Sequence, residues 1–185
     1  KEPGNEIPFY KARDLLMNNS TQLAKSFKNE IYQILRNYCI DKTNEGNSSY
    51  YKEIFHLNDQ ILKEGLFKDL NVVNSQTNNF RNFIFAASRL NKFDWIKKFI
   101  RDYSKELPEE MRDDEVNLSK GILGIYEKKY AAALEFLNKV NRKKYLHYLD
   151  TSIYRMIIFY ETSEFEECYK ELARLNDYLR KHKEI

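Results

Sequence analysis

Three aromatic residues, Phe93, Tyr130 and Phe165, recur at spacings of 37 and 35 residues. Each is followed at the third and seventh positions by residues that pack: Ile96 and Ile100, Ala133 and Leu137, Cys168 and Leu172. Each is preceded by an apolar pattern of helical period that ends in a short polar turn: Asn91-Lys92, Lys128-Lys129, or Thr162-Ser163-Glu164. A period of this length, built of two helical patterns and a tight turn, predicts consecutive antiparallel helix pairs, each burying its apolar face on the next. The pairs are expected over 77–108, 109–143 and 144–180.

The middle pair is the tightest. Leu118, Ile122, Ile125 and Tyr126 recur at helical spacing, and Tyr130, Ala133, Leu134 and Leu137 resume the pattern after the two lysines. Gly121 and Gly124 lie inside the first helix, where glycine weakens a helix and so points to close approach of a neighbour. In the last pair, Leu146, Leu149, Ile153, Met156, Ile157, Phe159 and Tyr160 outline one helix. Phe165, Cys168, Tyr169, Leu172, Leu175 and Leu179 outline the other.

The amino-terminal half carries paired helices without the same rhythm. Residues 1–8 read as coil and Phe9 to Met17 as a short helix, so 1–19 is a lead-in. Residues 20–76 form a helix pair with an ordered connection. Its first helix runs from Gln22 to Cys39 on a stripe of Leu23, Phe27, Ile31, Ile34, Leu35 and Tyr38. Asp41 to Ser49 reads as a loop, Tyr50 to Lys63 as the second helix, and Gly65 as its stop. Leu70, Val72 and Val73 are apolar enough to pack in the connection. With 5 Gly and 3 Pro the chain lacks the turns of a sandwich or barrel.

Gly121, Tyr130, Ala133 and Leu134 together resemble the tetratricopeptide repeat: a small residue in the first helix, an aromatic opening the second, then Ala-Leu. Phe93 through Pro108 resembles it too, with the proline at a repeat end. The likeness runs from Thr77 to about Arg180, with Ile84 and Met156 in place of the family's small residue and Ile96 in place of its alanine. The order of segments also resembles the carboxy-terminal part of uncharacterised bacterial helical-repeat proteins. The resemblance implies an all-α fold, antiparallel helix pairs stacked as a right-handed α–α superhelix in one continuous array. It also implies a groove for a protein or peptide, lined by the first helix of each pair. By position that groove presents Asn78, Arg81, Phe85, Ser88 and Arg89, then Glu115, Leu118, Ile122, Ile125 and Tyr126, then Asp150, Ile153, Ile157, Tyr160 and Glu161. Arg81, Phe85, Arg89, Tyr126 and Tyr160 are the expected contact residues, the arginines for forked hydrogen bonds and the aromatics for rigid area. So apolar a groove needs a cover, either a partner or the protein's own helices.

Chemistry finds little material. The chain has no HExxH, GxSxG, Walker or GxGxxG pattern, so no catalytic residue and no cofactor are expected. His56, His147 and His182 read as solvated or core-edge histidines. Glu109, Glu110, Asp113, Asp114 and Glu115 follow Pro108 and read as negative charge at a helix start, as do Glu164, Glu166 and Glu167. Cys39 and Cys168 stand 129 positions apart with no metal-ligand spacing, so they read as free buried thiols in a reducing, cytoplasmic compartment, with no metal site. No apolar run approaches a membrane span, and no signal-peptide pattern is visible; the chain opens on Lys1 rather than Met, so a preceding segment stays open.

With 31 basic and 28 acidic side chains, the net charge of +3 exerts little pull on nucleic acid. The basic runs Arg142-Lys143-Lys144 and Arg180-Lys181-His182-Lys183 lie near expected helix ends, where cations complement the dipole. Tyr145 and Tyr148 beside the first run keep a nucleic-acid-binding or regulatory module as the alternative. The expected function is a soluble, non-enzymatic protein-interaction module or scaffold.

Overall fold

The computed structural model describes residues 6–69 and 76–182, with side chains from Asn78 onward in the second stretch. Among them are nine α-helices and no strand. They are α1 (Ile7–Asn19), α2 (Lys25–Asn44), α3 (Tyr50–Lys63), α4 (Gln76–Arg89), α5 (Phe93–Tyr103), α6 (Glu109–Tyr126), α7 (Tyr130–Leu137), α8 (Tyr145–Glu161) and α9 (Phe165–Lys181). Short 3₁₀ turns occupy Ser20–Gln22 and Ser104–Glu106. The expected packing of Leu70, Val72 and Val73 lies outside the described residues.

Several boundaries differ from the sequence reading: α1 runs on to Asn19 rather than Met17, and α2 starts at Lys25 rather than Gln22, which lies in the 3₁₀ turn. Helix α1 starts at Ile7 with Pro8 in its first turn, where the missing N–H costs no helical bond, so the coil does not extend to residue 8. Helix α2 continues to Asn44, because Gly46 rather than the polar run from Asp41 ends it. The other turns fall where expected and share one geometry. Lys128 (φ 58°) and Ser163 (φ 61°) are left-handed residues just past a helix end, as is Gly65 (φ 66°). After α6, the Lys129 N–H donates to the Gly124 carbonyl at 2.8 Å and the Lys128 N–H to that of Ile125 at 3.0 Å. After α8, the Glu164 N–H donates to Phe159 at 2.7 Å and the Ser163 N–H to Tyr160 at 3.1 Å. These are Schellman closures, which satisfy carbonyls that a helix end would otherwise leave bare. Asn91 (φ 54°) takes the same left-handed conformation after α4.

The chain divides into two compact units, Lys1–Leu90 and Asn91–Ile185. The division falls inside the pair expected over 77–108: α4 belongs with α3, and α5 with α6.

In the first unit α2 and α3 pack side by side, α1 covers α2, and α4 covers α3. Phe9 stacks on Tyr38 with centroids 5.0 Å apart, and Lys28 and Tyr32 of α2 both bond Glu64 past the end of α3, at 2.6 and 2.8 Å. Arg36 is buried, donates to Asn79 at 3.2 Å and lies over the Phe83 ring; no carboxylate among the described residues pairs with it, and burial pulls its pKa down to about 10.

In the second unit α6 is central, packed on α7 and touching α5 and α8. A Cβ added at Gly124 would lie 2.9 Å from the Ala133 Cβ, and one at Gly121 would lie 2.6 Å from Leu137 Cδ2. The two glycines therefore serve the close approach of α7. Helices α8 and α9 form the last antiparallel pair.

Candidate interaction surface

A shift of 35 residues sets the pair α8–α9 in register with the pair α6–α7, with Ile153 at the position of Leu118 and Ile157 at that of Ile122. The environments of these equivalent residues are opposite. Leu118 and Ile122 are 1% and 4% exposed in a pair that α8 packs against, whereas Ile153 and Ile157 are 47% and 39% exposed. The same holds between the second helices: Leu137 is buried, and its equivalent Leu172 is exposed.

The outward residues of α8 are Leu146, Ile153, Ile157 and Tyr160, and those of α9 are Phe165, Tyr169, Leu172 and Leu179. At 3.6 residues per turn each set forms one stripe. The contacts between the two helices fix their register. Tyr148 stacks on Tyr178 at 3.8 Å, Arg155 bonds Glu171 at 3.4 Å, the Cys168 thiol meets the Met156 carbonyl at 3.6 Å, and Tyr160 meets Phe165 edge-on at 5.9 Å. That register puts the stripes side by side as a ladder: Leu146 level with Leu179, Ile153 with Leu172, Ile157 with Tyr169, Tyr160 with Phe165. One rung, Asp150 with Asn176, is polar. Of the six apolar residues that outline α9 in the sequence, Phe165, Tyr169, Leu172 and Leu179 thus lie outside the core. The inward face of α9 is Cys168, Glu171, Leu175 and Tyr178.

Behind the ladder the second unit also buries a polar cluster among its apolar core. Glu171 is fully buried and bonded by Arg142 and Arg155, with Arg174 at 3.3 Å; Arg142 also donates to Ser152 at 2.6 Å and lies over the Tyr148 ring. Burial pushes the Glu171 carboxyl up, but the arginines pull it further down, so it stands below the ordinary carboxylate value. The basic run before α8 is therefore occupied at two of its three side chains, and Lys143 is exposed. Arg142 serves Glu171, and Lys144 lies 3.6 Å from Asp114 and donates to the Glu110 carbonyl. It also sits at the start of α8, not at a helix end where the dipole favours cations. Tyr145 and Tyr148 stack on Tyr178 instead of presenting free faces.

His147 and Glu115 form a buried pair, Nε2 to Oε1 at 2.8 Å, with Asp114 3.8 Å from Nδ1. Glu115 is not a first-turn charge or a groove residue, and His147 is not solvated; both are closed to solvent, so a substrate has nothing there to touch. Among the described residues no group of His, Cys, Asp and Glu side chains is arranged to hold a metal ion, and no helix is long and apolar enough to cross a membrane. Cys39 is buried, which pushes its thiol up to about 12; Cys168 is half-buried.

The five expected contact residues fall in both units. Phe85 and Arg89 of α4 are together, Phe85 edge-on to Tyr51 at 5.9 Å and Arg89 over both rings; Arg81 is half-buried on the same helix. Tyr126, at the end of α6, is half-buried, and Tyr160 stands exposed on the ladder. Of the wider groove set, Ser88, Glu115, Leu118 and Ile122 are buried and line nothing. A second apolar surface escaped the sequence reading. Leu15 of α1 and Phe27, Ile31 and Ile34 of α2 line an open groove of about 450 Å³ in the first unit. The α2 stripe thus faces outward in part: Leu35 of it is buried, together with Asn29, Tyr32, Arg36 and Cys39, while Phe27 and Ile34 are exposed.

No protein-family model, curated protein or solved structure matches this chain.

Proposed function

We propose that this protein is a non-enzymatic interaction module whose paired helices stack in the manner of tetratricopeptide repeats, as a right-handed superhelix, and which docks another protein on the α8–α9 ladder. The observation that carries this reading is the exposure of Ile153 and Ile157 at positions whose equivalents one repeat earlier, Leu118 and Ile122, are buried. A helix-pair face built for covering and left uncovered is a docking surface. The buried state of the His147–Glu115 pair and the engagement of Arg142 and Lys144 with carboxylates favour docking over catalysis and over nucleic-acid binding.

The test is capture from nuclease-treated native lysate with the wild type and with Ile157→Glu, each first checked for helicity by circular dichroism. A protein held by the wild type and lost by the variant, with α8 and α9 protected from hydrogen exchange in the complex, is the expected result. Equal capture by both, with unprotected α8 and α9, would sink the reading.

A further inference from the structure

We infer that the ladder is a self-association surface: two copies of this chain pack α8–α9 against α8–α9 about a two-fold axis parallel to the helices. This rests on the reading of that face as the docking surface and names its occupant.

Area is the first argument. The eight outward apolar residues, with Tyr169 at 73% exposure, together expose on the order of 900 Å². The largest apolar patch of a typical monomer is about 300–600 Å², and a standard interface buries about 800 Å² per partner. One face thus supplies one side of an ordinary dimer.

Pattern is the second argument, and it fixes the geometry. A two-fold axis along the helices keeps every rung at its own height and sets α8 of one copy over α9 of the other. Ile157 then meets Tyr169 of the second copy, Ile153 meets Leu172, and Asp150 meets Asn176, so apolar rungs cover apolar rungs and a carboxylate meets an amide that can donate to it. An axis across the helices inverts the ladder and seats the polar Asp150–Asn176 rung on the apolar Ile157–Tyr169 rung, so polar side chains are covered by apolar ones. The self-complementary arrangement is the first one.

Sedimentation equilibrium of the full chain tests this. The wild type at about 50 µM is expected at twice the 22.3 kDa chain mass. Ile157→Lys and Tyr169→Glu, each confirmed helical, are expected to weaken the dimer about 100-fold by burying an unpaired charge. An equimolar mixture of the two variants should regain the dimer, because each Ile157→Lys copy faces a Tyr169→Glu copy. Ile157→Leu should leave the mass unchanged. A wild type that stays at 22.3 kDa overturns the inference, as does a dimer that persists in both variants. In the first case the capture experiment separates the two claims: a different protein lost on Ile157→Glu leaves the docking reading standing, and no such loss removes both. A monomer whose α8 and α9 are already protected from exchange, covered by its own chain, also overturns it.

Discussion

Lys128 and Ser163 occupy a conformation that glycine adopts freely and that costs a residue with a Cβ about 1–2 kcal/mol. Both are exposed, and neither side chain makes a hydrogen bond or ion pair with the described residues, so only the backbone closures offset the strain. Lys128→Gly and Ser163→Gly are each expected to stabilise the fold by about 0.5–1 kcal/mol, after the extra unfolded-state entropy of glycine is subtracted. Urea denaturation of the single variants checks this; Asn91→Gly should gain less, because asparagine tolerates the left-handed region better. The interior glycines behave in the opposite way. Gly124→Ala gains about 1 kcal/mol of helix propensity, but its Cβ collides with the Ala133 backbone side of α7. A net loss of about 1–2 kcal/mol is expected, and a variant as stable as wild type in the same titration would mean that α6 and α7 shift apart cheaply. The close approach behind both glycines is legible in the sequence, since glycine in a helical pattern has few other uses. The left-handed turns are not, because lysine and serine give no sign of φ above zero.

At the scale of helices, the three-residue turns and the limits of α3, α6 and α9 follow from periodicity and breakers in the sequence. The choice of buried face does not. Helices α2 and α9 each carry more apolar residues than their interior contacts use, and they bury Arg36 and Glu171 while leaving Ile34 and Tyr169 outside. A stripe read from hydropathy alone assigns the larger apolar set inward; here ion pairs and cation–π contacts draw polar side chains in. Glu171 makes this testable. Its folded pKa lies below the unfolded value of about 4.3, so its contribution is fully present above that value and is lost as pH falls through the folded pKa. Glu171→Gln should cost about 2–3 kcal/mol at pH 7, since Arg142 and Arg155 lose their counter-charge. The gap between variant and wild type should close as the pH drops below about 4. A gap of constant size in acid would show that the amide's shape, not the charge, is at fault.

For the whole molecule, the sequence rhythm runs across the division at Leu90, which no composition change marks. The sequence also conceals which helix pair is left uncovered: Ile153 and Ile157 look like Leu118 and Ile122 until the neighbouring helix is seen on one pair and not the other. Self-association through that face ties stability to concentration. The melting temperature of the wild type should rise as protein is raised from about 1 to 100 µM, while that of Ile157→Glu should stay flat. Differential scanning calorimetry reads this directly, and a flat wild type counts against the dimer.

The left-handed closures after α6 and α8 also bear on time. Each joins two helices through three residues, so the loop that must be closed before α6 meets α7, or α8 meets α9, is nearly as short as a chain permits. Contacts so close in sequence form early and at small entropic cost. The second unit is therefore expected to refold on the microsecond-to-millisecond scale of local helical topologies, with its slowest step the docking of one finished pair on the next.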